Sequence, residues 1–305
     1  MPEGDSLVRL AYQLRPVMQD EILVHSDFRI ASLATVDLSG WKITGVLPTA
    51  KYLSIFLQAP QNGLASHQTL VIFSHLGIDG WWQIDVRPTH RARCILGLSK
   101  HNVVGFSLSA LEVLTPQQAQ QQLSRLGPDL LDPDWQNPQL AEQLLSTAQA
   151  NFRQRSDQPI GSTLLDQRVV SGIGNIYRCE VLSLARMNPH RRVGTLTDGQ
   201  LAGLILLARE LMVFNVPPRS TSHTARSTVD IRPDAQAAFG LRVASPQEQA
   251  RAQADRRRTQ RHRPRFWVYD RRSCLRCSTL IRRDPLGALP GQTRYVYWCP
   301  YCQAD

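Results

Sequence analysis

WVYDRRSCLRC at 267–277 and RYVYWCPYCQ at 294–303 place Cys274, Cys277, Cys299 and Cys302 in a C-x2-C-x21-C-x2-C pattern. Each pair lets two thiolates grip one ion, and the aromatic-rich stretch between them can form a hairpin that brings the pairs together. A redox Cys-x-x-Cys does not normally come in two copies, and MPEGDSLVRL at 1–10 lacks the basic-then-apolar layout of a secretory signal, so the chain is expected to be intracellular and a poor candidate for disulfides. The spacing therefore predicts one structural zinc ion. A closed set of four thiolates leaves no open coordination position, so the ion would organise the hairpin without performing catalysis. Cys94 and Cys179 have no partners in the sequence and read as ordinary buried thiols.

Outward from that segment, the basic charge thins. Residues 251–305 hold 13 Arg and 4 Asp, whereas the preceding 250 residues carry 22 basic and 21 acidic groups, so the formal charge of +10 belongs to the tail. Such a concentration suits a polyanion, because each neutralised phosphate releases condensed counterions. A genome-wide taste for arginine would also contribute, since 32 of the 35 basic residues are Arg. The length of 305 residues allows one large or two ordinary domains, and 42% hydrophobic with 20% charged residues excludes a fibrous or wholly disordered chain. No apolar run approaches the roughly 20 residues of a membrane span, so no membrane partner is expected. The chain reads as soluble and intracellular.

The first helix is expected over residues 2–19, from Leu7, Leu10, Ala11, Leu14 and Val17 at helical spacing. Short β-branched and aromatic runs follow at 21–30, 41–47, 52–57, 69–73, 81–86, 94–98 and 103–108, which suggests an antiparallel sandwich or barrel. Residues 116–138 read as a short helix and linker between domains. Helices are expected at 140–152, 162–168, 175–186 and 197–214, with Ser162 and Thr197 as N-caps. Residues 217–264 are basic and poor in apolar groups, and read as a mobile loop or a helix without a core. The expected domains are thus 1–115, 139–216 and 265–305, with 116–138 and 217–264 between them.

Removal of Met1 from Met1-Pro2-Glu3-Gly4 would expose a secondary amine beside a carboxylic acid. An α-amine with an ordinary pKa of about 7.7–8.0 is partly unprotonated near neutral pH and is a nucleophile towards a sugar aldehyde. The plainer alternative is that Pro2 starts a helix at its first turn, with Glu3 and Asp5 complementing the helix dipole. The Gly-rich turn at Gly172–Asn175 can likewise bring backbone N–H groups and an Asn amide to a phosphate, or simply connect two helices.

Taken together, the N-terminal PEG, SHLGIDGWW at 74–82, RLGPDLLDP at 125–133, LLDQRVVSGIGNIYRCEVL at 164–182 and RYVYWCPYCQ at 294–303 resemble the formamidopyrimidine-DNA glycosylase and endonuclease VIII family. PEGD and YWCP lean towards the endonuclease VIII branch. The resemblance spans the chain in the family's order. It implies an α+β multidomain fold: an N-terminal antiparallel β-sandwich with a leading helix, a helical domain with a helix-two-turn-helix, and a zinc-ribbon hairpin. It also implies roles. Pro2 becomes the nucleophile, Glu3 the general acid, and Lys51 and Arg294 the groups that steady phosphates and assist proton transfer. Asn175 and Arg125 become DNA-backbone contacts, and Ile78 of HLGIDG the residue filling the void left by an everted base.

Each assignment has a plainer alternative: a strand-edge Lys51, a solvated Arg294, an interface salt bridge at Arg125, a core Ile78. The sequence also departs from the family pattern. Ala50 stands where the family usually has Gly before the Lys, Ile78 and Asp79 replace a Met or a Leu-Tyr pair, and the 21-residue spacer is longer than usual, which places a reshaped tip around 284–291. The activity implied is that of a bifunctional DNA glycosylase and abasic-site lyase in base excision repair. It would remove oxidised bases, pyrimidines favoured, by a Schiff base on Pro2 and β,δ-elimination. The partner would be damaged DNA, with the target base everted into the cleft between domains. A monomer working with the bacterial nucleoid in the cytoplasm is expected. Two rivals share the ribbon: a non-catalytic zinc-ribbon DNA-binding protein on the same scaffold, and an RNA-binding one. Neither needs Pro2, Glu3 and Lys51 together.

Overall fold

A computed structural model describes residues 2–60, 68–216, 229–230, 242–243, 266–287 and 294–304. The chain divides into two compact units, residues 1–126 and 127–305.

The first unit opens with helix α1 (Gly4–Met18), whose Leu7, Ala11, Leu14 and Met18 recur at helical spacing and are buried. Glu3 is the N-cap and closes a capping box with Ser6, so Pro2 lies outside the helix and not in its first turn. Eight strands follow: β1 (His25–Phe28), β2 (Lys42–Thr49), β3 (Tyr52–Gln58), β4 (Thr69–His75), β5 (Trp81–Ile84), β6 (Ala92–Gly97), β7 (Asn102–Phe106) and β8 (Ala110–Leu114). They form two antiparallel four-stranded sheets, β2-β3-β4-β8 and β1-β6-β7-β5. β8 was not expected from the sequence, where it follows β7 without a Gly or Pro break. β1 is shorter than the run at 21–30, because Leu23 and Val24 bond to Trp41 and Gly97 outside the strand ladder.

The sandwich core takes Leu53, Ile55 and Leu57 from one face of β3, Ile72 from β4, and Cys94, Leu96 and Val103 from the other sheet, together with the apolar face of α1. The period of two in β3 and β4 turns Tyr52, Phe56, Val71 and Phe73 the other way. That second face is covered by helix α2 (Pro116–Leu123) through Ala119 and Leu123.

The second unit contains α3 (Pro138–Arg153), α4 (Ile160–Thr163), α5 (Asn175–Leu184) and α6 (Asp198–Phe214). Asn137 caps α3 and Thr197 caps α6, each side-chain oxygen accepting from backbone N–H groups. The helix expected at 162–168 is instead the single turn α4. Ser162 lies inside it, donating its hydroxyl to Pro159 O at 2.9 Å, so it is not an N-cap. Two short strands, β9 (Val229–Asp230) and β10 (Arg242–Val243), pair antiparallel; the remainder of the basic segment 217–264 lies outside the described residues. The ribbon hairpin is β11 (Arg282–Pro285) against β12 (Tyr295–Trp298), and its tip, 288–293, also lies outside them. Among the described residues no helix is long and apolar enough to cross a membrane.

Candidate active site and nucleic-acid interface

In the first unit, α1 runs antiparallel to β2. Arg15 Nε donates to Val46 O at 2.7 Å and Gln19 Nε2 to Thr44 O at 2.7 Å, while Asp20 N–H bonds to Ile43 O at 2.9 Å. From Arg15 back to Gly4 the helix covers about 16 Å, and from Val46 on to Ala50 the strand covers about 13 Å. The first turn of α1, with Pro2 and Glu3 before it, therefore arrives at the turn joining β2 to β3. Lys51 sits in that turn. Glu3 (2% exposed) and Lys51 (9% exposed) are both buried, which is unusual for charged groups and disposes of a solvated strand-edge lysine.

Glu3 is held by local geometry. Its backbone N–H donates to Ser6 Oγ at 3.5 Å, Ser6 Oγ accepts from Arg9 Nη2 at 3.2 Å, and Arg9 Nη1 pairs with the buried Asp5 at 2.6 Å. The turn residue Ala50 has φ +51°, a left-handed conformation that Gly adopts without the cost a Cβ imposes. The family's Gly thus has a physical reason, and this chain carries the strain of its Ala.

Lys51 and the HLGIDG turn share one edge of the sheet, because Tyr52 at the start of β3 pairs with His75 at the end of β4. Ile78, at the turn's apex, is 66% exposed, which corrects the core reading of this residue. The turn beneath it is rigid: Gly77 takes φ +67°, and a Cβ there would lie 2.7 Å from Ser109 Cβ. A Cβ on Gly80 would meet Leu76 O at 2.2 Å. His75, missed by sequence reasoning, underpins the turn. Its Nδ1 accepts from Gly77 N–H at 3.0 Å and lies 2.9 Å from Ser109 Oγ, while its ring meets Tyr52 edge-on at 4.9 Å. Helix α2 folds back along β8, since Gln122 Nε2 donates to Glu112 at 3.0 Å, and β8 begins opposite His75. Arg125, three residues on, is exposed and enters no ion pair among the described residues. One end of one sheet thus carries Lys51 and the turn bearing Ile78, and the leading end of α1, with Pro2 and Glu3, is directed towards it.

In the second unit, Gly172 takes φ +99° and its N–H bonds to Gln167 Oε1 at 3.1 Å, fixing the turn that delivers Asn175 as the first residue of α5. Asn175 Nδ2 donates to Tyr295 O at 3.1 Å, which ties the turn to β12 beside Arg294. A primary amide carries two N–H donors, so this bond does not exhaust it. Arg178, fully buried, donates to Asn175 Oδ1, to Gly161 O at 3.2 Å and to Leu286 O at 2.5 Å. Leu286 N–H in turn bonds to Arg294 O at 2.7 Å. The backbone of Arg294 is therefore fixed from two sides, and the residue is half-buried.

Glu180 is buried in α5 and accepts from the backbone N–H groups of Trp267, Val268 and Tyr269 at 2.7, 3.1 and 3.0 Å. Burial pushes its carboxyl up from the usual glutamate value, against the three donors. Sequence reasoning missed both Arg178 and Glu180. The available signal was two opposite charges, two residues apart, among the mostly apolar residues of one short helix.

The sulfurs of Cys274, Cys277, Cys299 and Cys302 lie within 4.8 Å of one another. Cys277 Sγ is 3.4 Å from the sulfurs of both Cys299 and Cys302. Four thiolates about 2.3 Å from a central zinc would stand about 3.8 Å apart, so the cluster can hold a metal ion of that size. Hydrogen bonds from Thr279 bring the Cys277 thiol down to about 6, whereas burial pushes Cys302 up to about 12. All six cysteines are free thiols, and Cys94 and Cys179 are buried as expected.

Residues 126–225 match the model of the formamidopyrimidine-DNA glycosylase H2TH domain. The chain is 33% identical over 308 residues to the DNA-(apurinic or apyrimidinic site) lyase Nei2 of Mycolicibacterium smegmatis, covering 99% of each. It is also 33% identical over 312 residues to endonuclease 8 2 of Mycobacterium tuberculosis, covering 99% of this chain and 100% of the relative. The chain belongs to the formamidopyrimidine-DNA glycosylase and endonuclease VIII family. The Lactococcus lactis formamidopyrimidine-DNA glycosylase, solved bound to DNA with an abasic site, superimposes with a TM-score of 0.69 at 16% identity, covering 99% of this chain and 100% of that one. The Thermus thermophilus protein gives 0.66 at 23%, covering 100% and 99%. In family terms, the GIGN turn is the helix-two-turn-helix, and β11 and β12 are the ribbon hairpin.

Proposed function

We infer that this chain is a DNA glycosylase and abasic-site lyase of base excision repair, working on oxidised bases with pyrimidines favoured. The carrying observation is the antiparallel seating of α1 on β2, which delivers Pro2 and the buried Glu3 to the turn that holds the buried Lys51. Support also comes from the relatives, one of which bears the name of an abasic-site lyase.

With Met1 removed, the Pro2 nitrogen attacks C1′ of an everted nucleotide and the bond to the damaged base breaks, the base leaving with a proton. The protonated Glu3 carboxyl donates to the sugar ring oxygen, the ring opens, and the nitrogen lone pair completes a C=N iminium. Loss of a C2′ proton expels the 3′ phosphate, and a second elimination expels the 5′ phosphate, leaving a one-nucleotide gap. Lys51 and Arg294 neutralise phosphates during these steps and assist proton transfer. Asn175 and Arg125 hold the backbone, and Ile78 enters the stack where the base has left. The four thiolates take one structural zinc ion, which fixes the hairpin carrying Arg294.

Borohydride reduction tests the nucleophile. The mature protein should be trapped covalently on abasic-site DNA, and a form retaining Met1 should not. Equal trapping of the two forms would remove Pro2 from the mechanism.

A further inference from the structure

The ribbon hairpin has two unlike faces. Along β12, Val296 and Trp298 turn inward and are buried. Tyr295 and Tyr297 alternate to the other side, and Arg283 shares that side because it pairs directly with Tyr297. The Arg283 guanidinium carbon lies 3.8 Å over the Tyr295 ring and 5.9 Å from the Tyr297 ring. Tyr297 meets Tyr269 edge-on at 5.2 Å, and Tyr269 meets Phe266 at 5.3 Å. Arg283 is exposed, Tyr295 is 38% exposed, and the other three rings are half-buried. None of these side chains has a part in the chemistry above.

Tyr269 and Tyr297 pack on one side against the buried ribbon cluster, but the Tyr295 ring, with the Arg283 guanidinium over it, is left open to solvent at the end of that row. Their chemistry matches a planar, apolar-faced, negatively tethered ligand. Charge points the same way: residues 266–287 and 294–304 carry six Arg against two Asp. Paired bases show only their edges, whereas an unpaired base offers a whole face for stacking. We propose that the Tyr295–Arg283–Tyr297 face is a stacking platform for unpaired bases of single-stranded DNA. The choice of DNA over other polyanions rests on the function inferred above. The platform lets the enzyme engage strands with gaps, tails or open regions next to the lesion.

Substitution is safe for the fold, because Asn175 bonds the main chain of Tyr295 and not its ring. The full-length, zinc-loaded protein is titrated with fluorescent oligothymidine and with a blunt duplex of the same length, as wild type, Tyr295→Ser, Tyr295→Phe and Arg283→Ser. Stacking on an aromatic ring is worth about 1–3 kcal/mol per base, so Tyr295→Ser should weaken oligothymidine binding by roughly 5- to 150-fold. Arg283→Ser should weaken it severalfold, Tyr295→Phe should restore it, and duplex affinity should stay within twofold throughout.

Unchanged oligothymidine affinity in both serine variants would overturn the proposal. So would equal losses on duplex and single strand, which would mark a general charge effect, or a response confined to oligouridine, which would make the surface an RNA site. Zinc content confirms that each variant is folded. Borohydride trapping on abasic duplex is run in parallel. A wild type that binds oligothymidine in this pattern but is not trapped refutes the lyase reading and leaves the platform standing.

Discussion

Replacing Glu180 probes the joint between α5 and the ribbon. Its carboxylate accepts three backbone N–H bonds from consecutive residues, and Val268 among them is fully buried. Glu180→Ala strands all three donors. Each buried unsatisfied group costs about 1–3 kcal/mol, so the three sum to roughly 3–9 kcal/mol, with water entering the vacated volume pulling the result towards the lower end. Glu180→Gln keeps the shape and one acceptor oxygen, but turns an NH2 towards N–H groups, and about 2–4 kcal/mol is expected. The assay is urea unfolding followed by ribbon tryptophan fluorescence, with hydrogen exchange at Trp267, Val268 and Tyr269. These amides should lose protection in Glu180→Gln while the sandwich amides keep theirs. A Gln variant within 1 kcal/mol of wild type, with these amides still protected, would refute the claim that the carboxylate holds the ribbon.

Ala50→Gly should change stability by no more than about 1 kcal/mol, in the stabilising direction, because relief of the left-handed cost outweighs the entropy gained by the unfolded chain; thermal melting checks it. Ile78→Ser should leave the melting temperature unchanged, since the side chain is already in solvent, yet reduce trapping on abasic duplex more than on abasic single strand. Asp284 feels burial, but hydrogen bonds from Trp298 Nε1 at 2.7 Å and His190 Nε2 at 2.8 Å outweigh it and hold its carboxyl below the usual value of 3.8. A depressed carboxyl stabilises above its unfolded value and loses that contribution on acidification. The gap in urea stability between wild type and Asp284→Asn should therefore be full at pH 5 and above and close as the pH falls below 3.8. One zinc per chain is expected by metal analysis, and chelation should abolish DNA binding while leaving the sandwich amides protected from exchange.

What was legible in the sequence was local. The Cys-x-x-Cys pairs, the apolar face of α1, the β-branched and aromatic runs that form β3 and β4, and the Thr197 cap each involve residues a few positions apart. Ser162 misled because a hydroxyl preceding apolar residues reads as a cap, whereas Pro159 N-terminal to it begins the turn and receives its hydrogen bond. Arg178 and Glu180 were not legible as joints, because their backbone partners lie 108 and 87–89 residues away. The exposure of Ile78, against its core alternative, was not legible for a related reason: the turn that carries it is set by Gly77, which lies close to Ser109, 32 residues on. The convergence of Pro2 with Lys51 likewise needed the pairing direction of α1 and β2, which no periodicity reveals.

Helix α1 is pinned to the sheet at its far end, by Arg15 and Gln19, while Pro2 and Glu3, the residues proposed to react, lie ahead of its first turn. It works as a ruler. Inserting or deleting one residue between positions 7 and 14 would leave the anchor intact, yet swing the leading end by about 100° and shift it by about 1.5 Å. On the proposed mechanism, the number of residues between anchor and terminus is constrained by the reach required of the Pro2 nitrogen, independently of how well the apolar stripe is filled.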